Sequence, residues 1–324
     1  MRLKLWSAVA LVAFTSGLAA QSADPKFDSN RAWEHLRQLV AFGPRPAGSA
    51  ALEQARAYIR SQLKTAGVAV ADQTWEEQTP VGKVKFTNLV ATIPGARKDR
   101  LVFGGHYDTK LFREFRFVGA DDGGSSAAFL IELARVLKAR KNAVTIDLVF
   151  LDGEEAFCAG WDDCSRPGSP DNTYGSRHYV EVAKKDGSLA TLKAFVLVDM
   201  IADRDLRIRR ETNSTAWLTD AIWAAAKKLQ LDAYFVPQGT PIEDDHIAFL
   251  QAGVASVDII DLEYDAWHTQ RDTLDAVSAR SLQVVGDTVV AALPAIEARL
   301  TGAQRPSPIA QRPSPIAHRP NHSP

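Results

Sequence analysis

Cysteine is scarce, with two residues, Cys158 and Cys164, in a chain of 324. That excludes a scaffold held together by many disulfides and any four-cysteine metal cluster. Charge of one sign is also lacking. The 38 Lys and Arg nearly balance the 39 Asp and Glu, for a formal net charge of −1. A balance this even gives no reason to expect nucleic acid or an anionic membrane as partner. Beyond the first twenty residues no long apolar run is found, so no later stretch is expected to cross a bilayer.

The first twenty residues are different. Arg2 and Lys4 give a positive start, Ala8 to Ala20 is mostly apolar, and Gly17-Leu18-Ala19-Ala20 is rich in small residues. This pattern reads as a secretory signal peptide cut after Ala19 or Ala20, placing the mature chain in the periplasm or outside the cell. In such an oxidising compartment the two cysteines are expected to pair and pinch a small loop, although a Cys-X5-Cys spacing could also supply two metal ligands. At the other end, Gln304 to Ala310 (QRPSPIA) is repeated at once as Gln311 to Ala317. A Pro-rich repeat favours an extended, solvated segment that buries no core. The expected organisation is therefore a signal peptide over 1–20, a single domain over 21–302 and a disordered tail over 303–324.

With 46% hydrophobic and 24% charged residues, the middle can bury a sizeable core. Asp28-Ser29-Asn30 offers a helix N-cap, followed by Trp33, Leu36, Leu39 and Val40 at helical spacing. A second helix is expected from about Ser49. Val68 to Trp75 and Lys83 to Ile93 read as an edge hairpin. From there apolar strands (Leu101–Gly105, Val144–Leu151, Phe195–Val198, Val254–Ile260) alternate with amphipathic helices (Ser126–Leu137, Tyr174–Lys185, Ala216–Leu229, Ser278–Leu300). That alternation predicts an α/β fold of three layers, an open, mostly parallel twisted sheet with helices on both faces.

In such sheets ligands bind at the carboxyl ends of the strands. His106 follows the strand ending at Gly105, and Glu154-Glu155 the one ending at Leu151. Asp199 closes Phe195–Val198, and His268 lies in the loop after Ile260. Asp121-Asp122 stands just before the helix near Ser126, where either residue alone could be an N-cap. Two imidazoles and several carboxylates aimed at one place would repel each other without a cation. Mixed imidazole and carboxylate ligation suits zinc with an open position, with His106, Asp122, Glu155 and His268 as candidate ligands. Adjacent side chains on a tight loop point apart, so one of Glu154 and Glu155 can bind metal while the other serves as general acid or base. A zinc-stabilised binding domain with a closed site is the non-enzymatic alternative, and a spare glutamate beside the metal argues against it. His178 and His246 read as structural hydrogen-bonding residues.

The runs His106-Tyr107-Asp108, Val118-Gly119-Ala120-Asp121-Asp122, Phe150 to Glu155 (FLDGEE), Val198-Asp199-Met200 and Trp267-His268-Thr269 together resemble the zinc aminopeptidases of the family-28 metallopeptidase type. The resemblance spans about residues 30 to 300. Three passages bring the chain nearer to the glutaminyl cyclases (glutaminyl-peptide cyclotransferases) within that group: Asp152 to Phe157 with Trp161 and Tyr174 to His178, then Ile242 to Ile247 (IEDDHI), then Trp267-His268-Thr269. Glu243 stands where animal cyclases carry Gln.

The resemblance implies one zinc held by Asp122, Glu155 and His268. It implies Glu154 as proton shuttle, with Asp199 and Asp244 in its hydrogen-bond network. Trp161 and Trp267 would flank the substrate pocket, and Glu243, where this chain departs from the animal cyclases, is expected to contact the substrate. The implied reaction closes the N-terminal Gln of a peptide to pyroglutamate with loss of ammonia, in a monomer. The alternative is an aminopeptidase in which His106 and Asp199 hold a second zinc.

Overall fold

Two helices open the part that the computed structural model describes, residues 25–302. In α1 (Ser29–Ala41) the Asp28 side chain accepts the Asn30 N–H, and in α2 (Ala50–Thr65) the Ser49 side chain accepts the Leu52 N–H. Each cap satisfies an amide that has no partner inside its own helix. The signal-peptide region and the repeated tail lie outside the described residues.

A six-stranded sheet follows, built from β1 (Ala69–Thr79), β2 (Gly82–Ile93), β3 (Arg97–His106), β4 (Val144–Leu151), β5 (Leu192–Asp199) and β8 (Ala255–Ile260). Its order is β1-β2-β4-β3-β5-β8. The β1–β2 hairpin is antiparallel and β2 pairs antiparallel to β4, while β4, β3, β5 and β8 run parallel. The expected open, mostly parallel sheet with an edge hairpin is therefore present. Strand β1 runs past Trp75 to Thr79, because an edge strand half open to water needs no apolar residues at Glu76 and Glu77 to keep pairing with β2.

Period-two alternation sorts the central strands into two cores. Leu101 and Phe103 of β3, Ile146, Leu148 and Phe150 of β4, and Val196 and Val198 of β5 face one layer of helices. That layer holds α1, α2, α3 (Gly124–Ala139), α5 (Ala216–Lys228) and α7 (Ala279–Leu300). The residues between them, Val102, Val149, Leu151, Phe195 and Leu197, face the opposite layer, where α4 (Tyr174–Lys185) and α6 (His246–Gln251) pack. At 22 residues and a mean hydropathy of 1.2, α7 is long and apolar enough to span a membrane by length and composition. The sequence reading allowed no such stretch. Its apolarity instead serves the core, since 61% of that window is buried.

A small parallel pair, β6 (Ile208–Glu211) and β7 (Phe235–Thr240), lies outside the main sheet. Neither strand nor the six-residue α6 was expected from the sequence. Three of the four β6 residues are charged, so no apolar run marks it.

Candidate metal centre and pocket

Parallel register brings the strand ends level. His106 pairs with Leu151 across β3 and β4, and Asp199 with Ile260 across β5 and β8. The carboxyl ends of four neighbouring strands therefore open on one edge, and the loops leaving them carry the polar residues.

Asp122 precedes α3, but neither it nor Asp121 caps that helix; the N-cap is Gly123, with φ +77°. A Cβ at position 123 would come within 2.3 Å of the Asp108 carbonyl and 2.9 Å of His106 Cε1, so only glycine fits. Asp122 is thereby left free to face the site. Asp272 holds the segment in place: its Oδ1 accepts the Asp121 N–H at 2.8 Å and its Oδ2 the Asp122 N–H at 3.2 Å. After β4, Gly153 turns the chain at φ +73°, where any side chain would strike Phe86. His268 itself has φ +52°. Its ring is boxed edge-on by Phe112 and Phe117 and stacked by Trp267.

Asp122, Glu155 and His268 each offer one ligand atom, and the three atoms lie within 4.8 Å of one another. His268 Nε2 is 3.3 Å from Asp122 Oδ2 and 3.4 Å from Glu155 Oε2. A second group, His106, Asp122 and Asp199, meets the same test and shares Asp122. His106 Nε2 lies 3.2 Å from both Asp122 Oδ1 and Asp199 Oδ1. The tightly buried Asp122 Oδ2 and Glu155 Oε1 have no hydrogen-bond partner among the described residues. Buried carboxylate oxygens left in this way cost free energy unless a cation satisfies them, so the donor set fits a divalent metal.

The electrostatics agree. Burial opposes the charge on Asp122, but the His106 and His268 imidazoles beside it hold it well below the usual carboxylate range. Burial, and then the Asp122 charge, push Glu155 up to about 6. His268 is raised to about 10 because its two carboxylate neighbours outweigh burial.

Glu154 has a different place. Its N–H donates to Asp108 Oδ1 at 3.3 Å, and its carboxylate sits 3.9 Å from His106 Nδ1, outside both ligand groups. Burial drives its pKa well up, and Asp244 and Glu155 add to the rise against the opposing His106. Asp244 is likewise raised, by burial and then by Asp199.

A cavity of about 150 Å³ opens over these groups. Asp122, Glu154, Glu155, Asp199, Asp244 and His268 line its floor, with Trp161, Trp267, Glu243, Met200, Ile242, Ile260 and Leu262 around it. Every expected catalytic, substrate-facing and metal-ligand residue except His106 lines this cavity; His106 is fully buried. A larger surface cavity of about 730 Å³ lies to one side and contains none of the ligand residues.

Cys158 and Cys164 form a disulfide, with Cα atoms 6.0 Å apart, closing the short loop that carries Trp161. Asn172 Nδ2 donates to the Trp161 carbonyl at 3.1 Å. The buried Lys110 ammonium donates to the carbonyls of Ala156 and Cys158 and lies 3.8 Å from Glu155. Lys110 and Asp272 were missed in the sequence. Asp272 stands four positions after His268, but nothing in that spacing announces that it reaches back to the Asp122 segment. His178 stacks on Trp75 at 3.9 Å, and His246 Nε2 lies 3.2 Å from Glu211, so neither joins the site.

Comparison with known proteins follows the same outline. The model of peptidase family M28 matches residues 88–293. The glutaminyl-peptide cyclotransferase-like protein of Bos taurus is 32% identical over 76% of this chain and 70% of its own length. The glutaminyl-peptide cyclotransferase of Dictyostelium discoideum is 27% identical over 77% of this chain and 80% of its own. Among solved structures, the glutaminyl cyclase of an Acidobacteriales bacterium superposes with a TM-score of 0.80 at 37% identity, covering 86% of this chain and 98% of that one. A leucine aminopeptidase precursor from Bacteroides thetaiotaomicron shares the fold, with a TM-score of 0.76 at 23% identity.

Proposed function

The chain belongs to peptidase family M28, and from its likeness to the cyclotransferases within that fold we propose that it cyclises the N-terminal glutamine of peptides to pyroglutamate with release of ammonia, the activity of a glutaminyl-peptide cyclotransferase. The observation that carries the reading is Glu154. It lines the pocket beside Asp122, Glu155 and His268 yet stands outside the ligand group, as an acid–base residue must. The named cyclotransferase relatives and the aromatic walls of the pocket support the same choice.

In this reading zinc is held by Asp122, Glu155 and His268. When bound, it supplies a Lewis acid for the γ-amide carbonyl. Trp161 and Trp267 wall the folded glutamine side chain and exclude water, so that its own α-amine is the nearest nucleophile. Glu243, at the rim, faces the ammonium end of the substrate. The Glu154 carboxylate takes a proton from the attacking amine as the C–N bond forms. It then returns that proton to the departing amide nitrogen, which leaves as ammonia. Burial, and then the like charge of Asp244, keeps the Glu154 pKa high so that it can still donate, while burial and Asp199 do the same for Asp244. The Cys158–Cys164 disulfide supports an enzyme exported to an oxidising compartment.

A second reading has one specific support. His106, Asp122 and Asp199 also lie within 4.8 Å of one another, which suits a second zinc and aminopeptidase chemistry. The deciding experiment measures zinc per chain and compares ammonia release from a Gln-initiated peptide with leucine release from a Leu-initiated one. Ammonia alone is expected, and Glu154→Gln should abolish it with zinc retained. Leucine release with two zincs per chain would replace this proposal with the second.

A further inference from the structure

Beside the pocket, sharing Ile260 and Leu262 as a wall, runs a groove of about 210 Å³ whose other lining includes Arg207, Arg209, Thr240 and Glu263. We propose that this groove is a subsite for a carboxylate side chain on the second or third residue of the substrate; the inference rests on the cyclase reading above.

Arg209 lies in β6 and Arg207 just before it, and both line the groove. Arg210 points the other way, where it pairs with Asp220 and lies over the Trp223 ring. A buried carboxylate then locks this face against the pocket. Asp261 Oδ2 accepts the Arg207 N–H at 2.6 Å, and its Oδ1 accepts the Glu263 N–H at 3.2 Å. That clamp ties the start of β6 to the segment after β8, next to the shared wall.

The charges are suited to a peptide. The pocket is lined by Glu154, Asp199, Glu243 and Asp244, which match the substrate's ammonium end. The sign reverses in the groove, where two guanidinium groups face one carboxylate. Arg209 pairs with Glu263, while Arg207 is exposed and forms no ion pair among the described residues. An extended peptide advances about 3.3 Å per residue. The shared wall of Ile260 and Leu262 sets the groove next to the pocket, so the residues that follow the first along a bound chain are the ones to reach the arginines. The shared apolar wall would hold the backbone there, and an incoming carboxylate would take the unpaired Arg207 and compete with Glu263 for Arg209.

The test uses the zinc-loaded full chain and four C-terminally amidated peptides: Gln-Asp-Ala, Gln-Lys-Ala, Gln-Ala-Asp and Gln-Ala-Lys. Ammonia release gives kcat/KM for each. The expected result is a preference for Asp over Lys of about three- to fivefold at one of the two positions, the size of an exposed ion pair. It should shrink in about 0.5 M salt, disappear in the Arg207→Gln/Arg209→Gln double variant and invert in Arg207→Glu. A ratio below threefold at both positions, or a preference that survives in the double variant, overturns the subsite. If none of the four peptides releases ammonia, the cyclase reading fails and the subsite falls with it; cyclisation of all four at equal rates refutes the subsite alone.

Discussion

Asp272→Asn separates what this buried carboxylate does for the fold from what it does for the metal. Asp272 is fully buried and accepts three hydrogen bonds, from the Asp121 and Asp122 amides and, at 2.8 Å, from the Tyr264 hydroxyl. Asparagine can keep its oxygen on the Asp121 amide and the Tyr264 hydroxyl, but its NH₂ must then face the Asp122 N–H. One buried donor loses its acceptor, at a cost of about 1–3 kcal/mol. Set against this, burial and then the Asp122 charge push Asp272 up to about 6. Holding it ionised at pH 7 therefore costs about 3 kcal/mol in the metal-free protein, at 1.36 kcal/mol per pKa unit. Asparagine relieves that cost. The relief equals or exceeds the loss, so the metal-free variant should melt no lower than wild type.

Zinc changes the comparison, because a bound cation would itself satisfy the charge on Asp122 and remove the relief. What remains is a misdirected Asp122 segment, and loss of such a supporting contact typically lowers metal affinity about ten- to a hundredfold. The assay is a zinc titration with a chromophoric competitor, beside thermal melts of the apo and zinc-loaded forms. Apo stability no lower than wild type with weakened zinc binding is expected. A large drop in apo stability with unchanged zinc affinity would refute the argument and make Asp272 a brace of the fold only.

Two further outcomes follow from local features. Replacing Cys158 and Cys164 by serine frees a closed loop whose ends are six positions apart, and chain entropy puts its constraint at about 2 kcal/mol. Because that loop is peripheral, the main loss should fall on the ordering of Trp161, raising KM for a Gln-initiated peptide about three- to tenfold; an unchanged KM would show that the disulfide does not position Trp161. The second concerns acid. Burial, and then Arg31, lower His35 to about 4, and its Nδ1 meets the Tyr58 hydroxyl at 2.8 Å. The unfolded chain takes up this proton first, so the stability that neutral His35 contributes is present above about pH 6.5 and lost as pH falls toward 4. Discounted for its partial exposure, the loss is about 1–2 kcal/mol. His35→Gln should flatten the fall of Tm between pH 7 and 4.5, and an undiminished slope would place the acid sensitivity elsewhere.

The sequence by itself determined the layers. Apolar strands alternating with amphipathic helices announced a sheet covered on both faces, but strands apolar on both sides do not say which residue faces which layer. The polar residues at strand ends are short-range features too, since each stands within a few positions of an apolar run. That is why these candidates were legible before any coordinates, while the division of roles between Glu154 and Glu155 rested on the family resemblance. Tertiary structure decided the rest. Only packing shows that Gly123 rather than an aspartate caps α3, because the crowding that demands glycine comes from Asp108 and His106 on another element. Only packing brings Asp272 back over 150 residues to the Asp122 amide. The charged strand β6 carries no apolar run, and its place is set by pairing with β7, by Ile208 in the core and by the Asp261 carboxylate that accepts the Arg207 N–H just before it. A residue's own type and spacing fix what it can do; which distant group it meets is set by the closure of the fold.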